Sequence, residues 1–276
     1  MNAKQWVLGT ALGDALISVR DRVGLVWMSF GNPESIGTAA NDQMASLLVS
    51  CLSKPSSTFL DVGAHIGSVS AAVLKRDRSV RVEAVEAMPD KVAKLRRKFP
   101  GIKVHGYAAG DSEGEVTFFV NTRQSGYSSL GKPGGGVGDP ITSISVSMKT
   151  LDSLIDATDV DVIKIDVEGA ELGALRGASR ILADSRPTVM FESAPGDANG
   201  LGYTKEALWE FFAAIDYEIV LPNRLAHLGA GLTQPGFLES HVYPRRSTNY
   251  FAVASERRDE LRDRARKALS IVPARA

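Results

Sequence analysis

An acidic residue followed by a glycine-punctuated turn, Asp61-Val62-Gly63-Ala64-His65-Ile66-Gly67, is the first stretch whose residue types suit ligand chemistry. It closes the short apolar run Thr58 to Val62 and opens into a helix-like segment, Ser68 to Arg76. In open α/β sheets such strand-to-helix turns sit at the carboxyl edge, where ligands bind. Gly63 permits the tight turn, and Gly67 permits close helix packing or the approach of a ligand to the backbone. A dinucleotide loop needs three spaced glycines so that pyrophosphate can rest on the helix N-terminus. Here His65 fills the middle glycine position and Asp61 places negative charge before the loop, and both oppose a phosphate. A ligand with a cationic end fits better, with Asp61 meeting an ammonium directly or through water.

The densest chemistry lies in Val162-Ile163-Lys164-Ile165-Asp166-Val167-Glu168-Gly169-Ala170-Glu171. A central parallel strand is buried on both faces and reads as continuous Val and Ile. Lys164 and Asp166 are costly there unless they pair with each other or face a ligand cleft. Glu86, at the end of Val80 to Val85 and followed by Ala87, is placed to accept from both ribose hydroxyls of an adenosine. Asp111, after Ala108-Ala109-Gly110, can accept from an adenine amino group, although beside Gly114 it also reads as a plain turn. A phosphate-free nucleoside with a cationic end is S-adenosylmethionine. The expected cofactor contacts are Asp61, Gly63, Ala64, His65 and Gly67 from the first loop. Glu86, Ala87, Ala109, Asp111 and Asp166 complete them from the next strand ends.

These residues carry a family resemblance. The stretches are Phe59 to Gly67, then Thr150-Leu151-Asp152-Ser153-Leu154, then Asp161 through Glu171 with Leu175-Arg176-Gly177-Ala178. Taken in that order, with Glu192 beyond, they make the chain similar to the FkbM family of S-adenosylmethionine-dependent methyltransferases, across roughly residues 58 to 254. The Lys-Ile-Asp-Val-Glu-Gly-Ala-Glu run is its most specific part, and His65 stands where relatives commonly carry Asn. The resemblance implies a doubly wound, Rossmann-like class I sheet of seven strands with the last antiparallel. It also implies methylation of hydroxyls on sugars, glycolipids or polyketides, without fixing which hydroxyl.

The elements that must position these groups read as strands alternating with helices, which predicts right-handed crossovers and a parallel sheet. Strands are expected at Thr58 to Val62, Val80 to Val85, Ile102 to Tyr107, Val160 to Asp166, Thr188 to Glu192, Glu218 to Leu221 and Tyr250 to Ala254. Pro89 opens a helix, one helix carries Leu172, Leu175 and Leu182, and Thr204 caps another. Glu115 to Val120 and Ile141 to Met148 look like an antiparallel pair around a glycine-rich loop at Gly131 to Gly138. That loop is either a connection or a flap. Residues 1–50 read as a helical cap over the mouth of a methyltransferase domain at 51–254. Residues 255–276 read as a charged, solvated tail with Leu261, Ala265 and Leu269 on one stripe.

Transfer of a methyl group to an alcohol requires alignment and a base. The expected catalytic residues are Asp166 or Glu168 as base, Lys164 to orient a carboxylate or the acceptor oxygen, and His241, from a polar loop before the last strand. Asp166, Glu168 and Glu192 also offer hard oxygen ligands for Mg²⁺, a reading that nothing in the sequence compels. The rivals are an NAD(P)-dependent oxidoreductase, opposed by the missing glycine, and a non-catalytic nucleoside-binding module. Lys plus Arg and Asp plus Glu both number 32, so no basic field argues for nucleic acid. No apolar run is long enough to span a bilayer. With a single cysteine, Cys51, and no small-residue cleavage site after the N-terminal apolar run, the cytoplasm is the expected location. The acceptor pocket is expected from residues 1–50, the glycine loop and 223–248, where Trp6, Trp27, Tyr127, Arg224, Arg245 and Arg246 suit a saccharide or glycolipid. Oligomeric state is not legible.

Overall fold

The computed structural model describes residues 24–28, 30–121, 130–131, 141–193, 201 and 203–271. Ile36–Val49 forms α1. The alternating part follows as β1 (Thr58–Val62), α2 (Ser68–Arg76), β2 (Arg81–Val85), α3 (Pro89–Lys98) and β3 (Lys103–His105). A detour through β4 (Ala108–Ala109), β5 (Gly114–Asn121), β6 (Ile141–Lys149) and α4 (Leu151–Leu154) leads to β7 (Val160–Ile165). Then come α5 (Glu171–Arg176), α6 (Ser179–Asp184), β8 (Thr188–Glu192), α7 (Lys205–Ala214), β9 (Tyr217–Val220), α8 (Gln234–Glu239), β10 (Asn249–Ala254) and α9 (Arg258–Ala268).

The main sheet has seven strands in the order β3-β2-β1-β7-β8-β10-β9. Parallel pairing joins β3 through β8, and β10 runs antiparallel to both of its neighbours. The expected doubly wound sheet with an antiparallel last strand is therefore present. β1 and β7 are buried at every position, which is why they read as apolar runs. β5 and β6 pair antiparallel, as expected, and with β4 make a separate three-stranded sheet. Thr204 caps α7 by accepting from the Ala207 amide at 3.1 Å. No helix among the described residues is long and apolar enough to cross a membrane.

Two expectations about the ends of the chain need correction. α1 lies along a face of the sheet instead of over its mouth. Ala45, Leu48 and Val49 pack there with Phe59, Val162 and Phe251, because this apolar stripe needs a surface the sheet provides. Its polar side ties down the approach to β10: Asp42 accepts from the amides of Thr248 and Asn249, and Asn41 donates to the Arg246 carbonyl. The charged tail is likewise part of the fold. Leu261 and Ala265 of α9 are fully buried in the same cluster, and Arg257 and Arg264 both donate to the buried carboxylate of Asp161. Residues 1–23 and 272–276 lie outside the described residues.

The single helix expected to carry Leu172, Leu175 and Leu182 is two helices, α5 and α6. They separate at Gly177, where an added Cβ would lie 2.1 Å from the Gly110 carbonyl oxygen, so the break lets backbone meet backbone.

Candidate functional site

From β1 the chain winds outward to β3, then crosses back to β7 on the other side of β1. Neighbouring loops therefore part at the carboxyl ends of β1 and β7, where doubly wound sheets bind ligands. A cavity of about 290 Å³ opens there. Its walls come from Asp61 to His65, Glu86, Ala87 and Lys91, then Ala109 and Phe118, then Lys164 and Asp166 to Glu168.

The first loop is shaped by left-handed backbone. Gly63 (φ 72°) donates its amide to the Val85 carbonyl, and a Cβ on it would sit 1.8 Å from the carbonyl oxygen of Asp166. His65 also adopts a positive φ, 51°, and its amide donates to Glu86 Oε2 at 2.8 Å. Glu86 Oε1 accepts from the Met88 amide at 2.9 Å, so two backbone amides fix this carboxylate at the end of β2. Burial, followed by the charges of Lys91 and Lys164, pushes the His65 imidazole down to about 4, so it is neutral at physiological pH. Gly67 (φ 73°) faces away from the cavity. Its α-carbon packs against Phe99 and Leu95, so of the two roles expected for it, helix packing is the one observed.

Beneath the loop, Asp61 accepts from Ser70 through both the amide and the hydroxyl on Oδ2, which caps the first turn of α2. Its Oδ1 has no hydrogen-bond donor and lies 3.6 Å from the Lys164 ammonium. Lys164 Nζ also stands 3.4 Å from Asp166 and donates to the carbonyls of Gly63 and Val62. Burial opposes its charge, but Asp166 and Asp61 prevail and hold its pKa above the ordinary value. The lysine in the central strand is therefore paired with two carboxylates and bonded to the loop that shapes the cavity.

Three carboxyl groups, those of Asp166, Glu168 and Glu192, bring oxygens within 4.8 Å of one another. Burial and then the charge of Asp166 drive the Glu192 carboxyl upward, and the two are hydrogen-bonded. Burial opposes ionisation of Asp166 as well, yet Lys164 and the bond from Glu192 hold its pKa down. Within the pair, protonation is therefore favoured on Glu192 and ionisation on Asp166. Glu168, with φ 54°, is pushed up to about 7 by burial and then by the charges of Asp166 and Glu171. Glu171 is buried behind it and accepts from the amides of Val167 and Gly169 at 3.2 and 3.0 Å. Burial raises its carboxyl to about 7 too.

Of the expected site residues, Asp61, Gly63, Ala64, His65, Glu86, Ala87, Ala109, Lys164, Asp166 and Glu168 line this one cavity. Asp111 does not: it accepts from the Tyr203 hydroxyl at 3.3 Å and lines a second cavity with Gly110 and Met148. His241 does not either. It is buried, with Nδ1 2.8 Å from the Phe237 carbonyl and Nε2 2.9 Å from the Ser193 hydroxyl, and it stacks on Tyr250. Both ring nitrogens are engaged within the fold, so the polar sequence around it concealed a core histidine. Arg224, Arg245 and Arg246 border neither cavity. Trp6, Tyr127 and residues 132–138 of the glycine loop lie outside the described residues. Sequence reasoning missed Lys91 and Phe118. Lys91 shares the buried face of α3 with Leu95 at i, i+4 spacing, a signal that was available.

The model of a methyltransferase FkbM domain matches residues 61–219. Among solved structures, the chain is similar to a methyltransferase FkbM from Methylobacillus flagellatus KT, at 22% identity and a TM-score of 0.46. That likeness covers 72% of this chain and 43% of the other, so the chain spans less than half of its length. A TehB-like SAM-dependent methyltransferase from Corynebacterium glutamicum ATCC 13032 Kitasato is 13% identical with a TM-score of 0.41, covering 76% and 85% of the two chains. The mitomycin 7-O-methyltransferase MmcR is 12% identical with a TM-score of 0.38, covering 76% and 52%. No curated protein sequence matches significantly.

Proposed function

Since this chain belongs to the family of the methyltransferase FkbM domain, we propose that it transfers a methyl group from S-adenosylmethionine to a hydroxyl oxygen of a saccharide, a glycolipid or a related natural product. The observation that carries the reading is the charge of the cavity. Asp61, Glu86, Asp166 and Glu168 line it beside Lys91 and Lys164, and one buried oxygen of Asp61 lacks a donor. Such a cradle suits a ligand with ammonium and sulfonium charges and repels a pyrophosphate. When bound, the cofactor supplies an activated methyl group and a neutral thioether leaving group.

The chain's own residues then divide the work. Glu86, fixed by two backbone amides, keeps lone pairs for ribose hydroxyls. Neutral His65 adds no charge against a cationic ligand. Asp166, kept ionised by Lys164, is the counter-charge for an ammonium, and Asp61 supports it from below. Lys164 orients these two carboxylates. Glu168 is the base: a carboxyl near 7 is half ionised at physiological pH, where it can take a hydroxyl proton as the new O–C bond forms. The raised carboxyl of Glu192 eases repulsion within the acidic cluster.

Calorimetry with S-adenosylmethionine and with NAD tests the cofactor. Micromolar affinity for the first and none for the second is expected, and the reverse result would overturn the proposal. A product assay for S-adenosylhomocysteine against a panel of glycosides then tests the acceptor class.

A further inference from the structure

We infer that the acceptor carries an apolar body beside its reacting hydroxyl, and that this body binds in the second cavity; the inference rests on the methyltransferase reading above. The first cavity, about 290 Å³, stands at the small end of ligand pockets, which run from roughly 300 to 1,000 Å³. On the proposed reading that space belongs to the cofactor, and the acceptor needs space of its own. The second cavity, about 350 Å³, adjoins it: Ala109 and Leu130 belong to the walls of both. β5 contributes to both spaces: Phe118 lines the first, and Val116, Thr117 and Phe119 line the second. Ala170, two residues after Glu168 in the chain, forms another wall of the second cavity.

The lining states the chemistry of the occupant. Val116, Phe119, Met148 and Leu201 make it mostly apolar. Its polar end is Tyr203, which donates to Asp111, with the Arg176 guanidinium 5.7 Å from the Tyr203 ring centroid. The absence of a side chain at Gly173 makes the slot: a Cβ there would lie 2.8 Å from the Tyr203 hydroxyl oxygen. A free sugar has little to place against four hydrophobic walls, whereas an alkyl, acyl or polyketide portion buries its surface there. A hydroxyl or amine at the far end of that portion can donate to Asp111.

The test titrates n-octyl β-D-glucoside, below its micellar concentration, and methyl β-D-glucoside into the full chain saturated with S-adenosylmethionine. The octyl probe is expected to bind at least roughly tenfold more tightly, because several methylenes leave water. Phe119→Arg and Thr117→Trp should each abolish that preference while leaving cofactor affinity unchanged. Thr117 is exposed on its strand, so the second substitution leaves folding intact. Equal binding of the two glucosides overturns the inference. So does a preference that survives both substitutions, or competition between the octyl probe and the cofactor. The same titrations run without cofactor keep the two readings apart: a chain that binds the octyl probe but never binds S-adenosylmethionine sinks the proposed function and leaves the apolar cavity standing.

Discussion

Gly63 and Asp166 meet backbone to backbone: a methyl group on Gly63 would fall 1.8 Å from the Asp166 carbonyl oxygen. The loops after β1 and β7 therefore build one cavity wall only because position 63 lacks a side chain. Gly63→Ala must also hold a φ of 72°, where an L residue costs about 1–2 kcal/mol before any clash is counted. The expected result is a drop in thermal midpoint of several degrees together with loss of cofactor binding. A variant that melts and binds like the parent would mean that the two loops can separate freely.

Much of this wall was legible in the sequence, because its residues break local rules. Lys164 and Asp166 interrupt a strand of Val and Ile, and Gly63 follows an acidic residue at a strand end, so each demanded a partner or a ligand. What stayed hidden depends on contacts across the chain. Asp111 follows the right strand yet pairs with Tyr203, and His241 sits in a polar stretch yet folds inward onto Ser193 and Tyr250. Asp161 looked like one more acid in a motif, although its partners, Arg257 and Arg264, arrive from a helix far along the chain.

Lys164→Met tests the centre of the charge network. The substitution keeps the volume but leaves Asp61 and Asp166 without their shared cation, and breaking a buried pair in this way costs about 3–5 kcal/mol. Chemical denaturation should register a loss of that order at pH 7. The loss should shrink at low pH, where the Asp166 carboxylate takes up a proton.

On the proposed reading, Glu168 is the group that sets the pH dependence of turnover. With its carboxyl near 7, the ionised base accumulates as pH rises, so kcat/KM should climb through about 7 and then level off. Glu168→Gln should lower kcat by roughly a hundredfold or more and erase that limb, with cofactor affinity retained. An unchanged profile in the variant would assign the limb, and the base, to another group.

Stability should run in the opposite sense over the same range. Glu168 and Glu171 are both raised to about 7 by burial, so the folded chain holds their protons more tightly than the unfolded chain does. By linkage, the contribution of these two groups to stability falls as pH rises from the ordinary glutamate value of about 4.3 towards 7, and is constant beyond. Glu171→Gln keeps an oxygen for the Val167 and Gly169 amides but has no proton to lose. Its thermal midpoint should therefore fall less than the parent's between pH 5 and 7, and parallel curves would show that Glu171 does not titrate in that window.

Asp161 joins the last helix to the sheet. Its two oxygens accept from Arg257 at 2.6 Å, from Arg264 at 2.7 Å and from the Lys54 amide at 2.8 Å. Burial opposes ionisation, but Arg264 prevails and holds the carboxyl below its usual range. That contribution is complete above the ordinary aspartate value and is lost as pH falls through the lowered one. Asp161→Asn removes the charge from beneath two half-buried guanidinium groups, and the cost should be about 3 kcal/mol by denaturant titration at pH 7. Because α9 buries Leu261 and Ala265 beside β1 and β7, amide exchange in α9 and in those strands should accelerate together. If only α9 opens while the strands stay protected, the helix is an appendage after all and the solvated-tail reading returns.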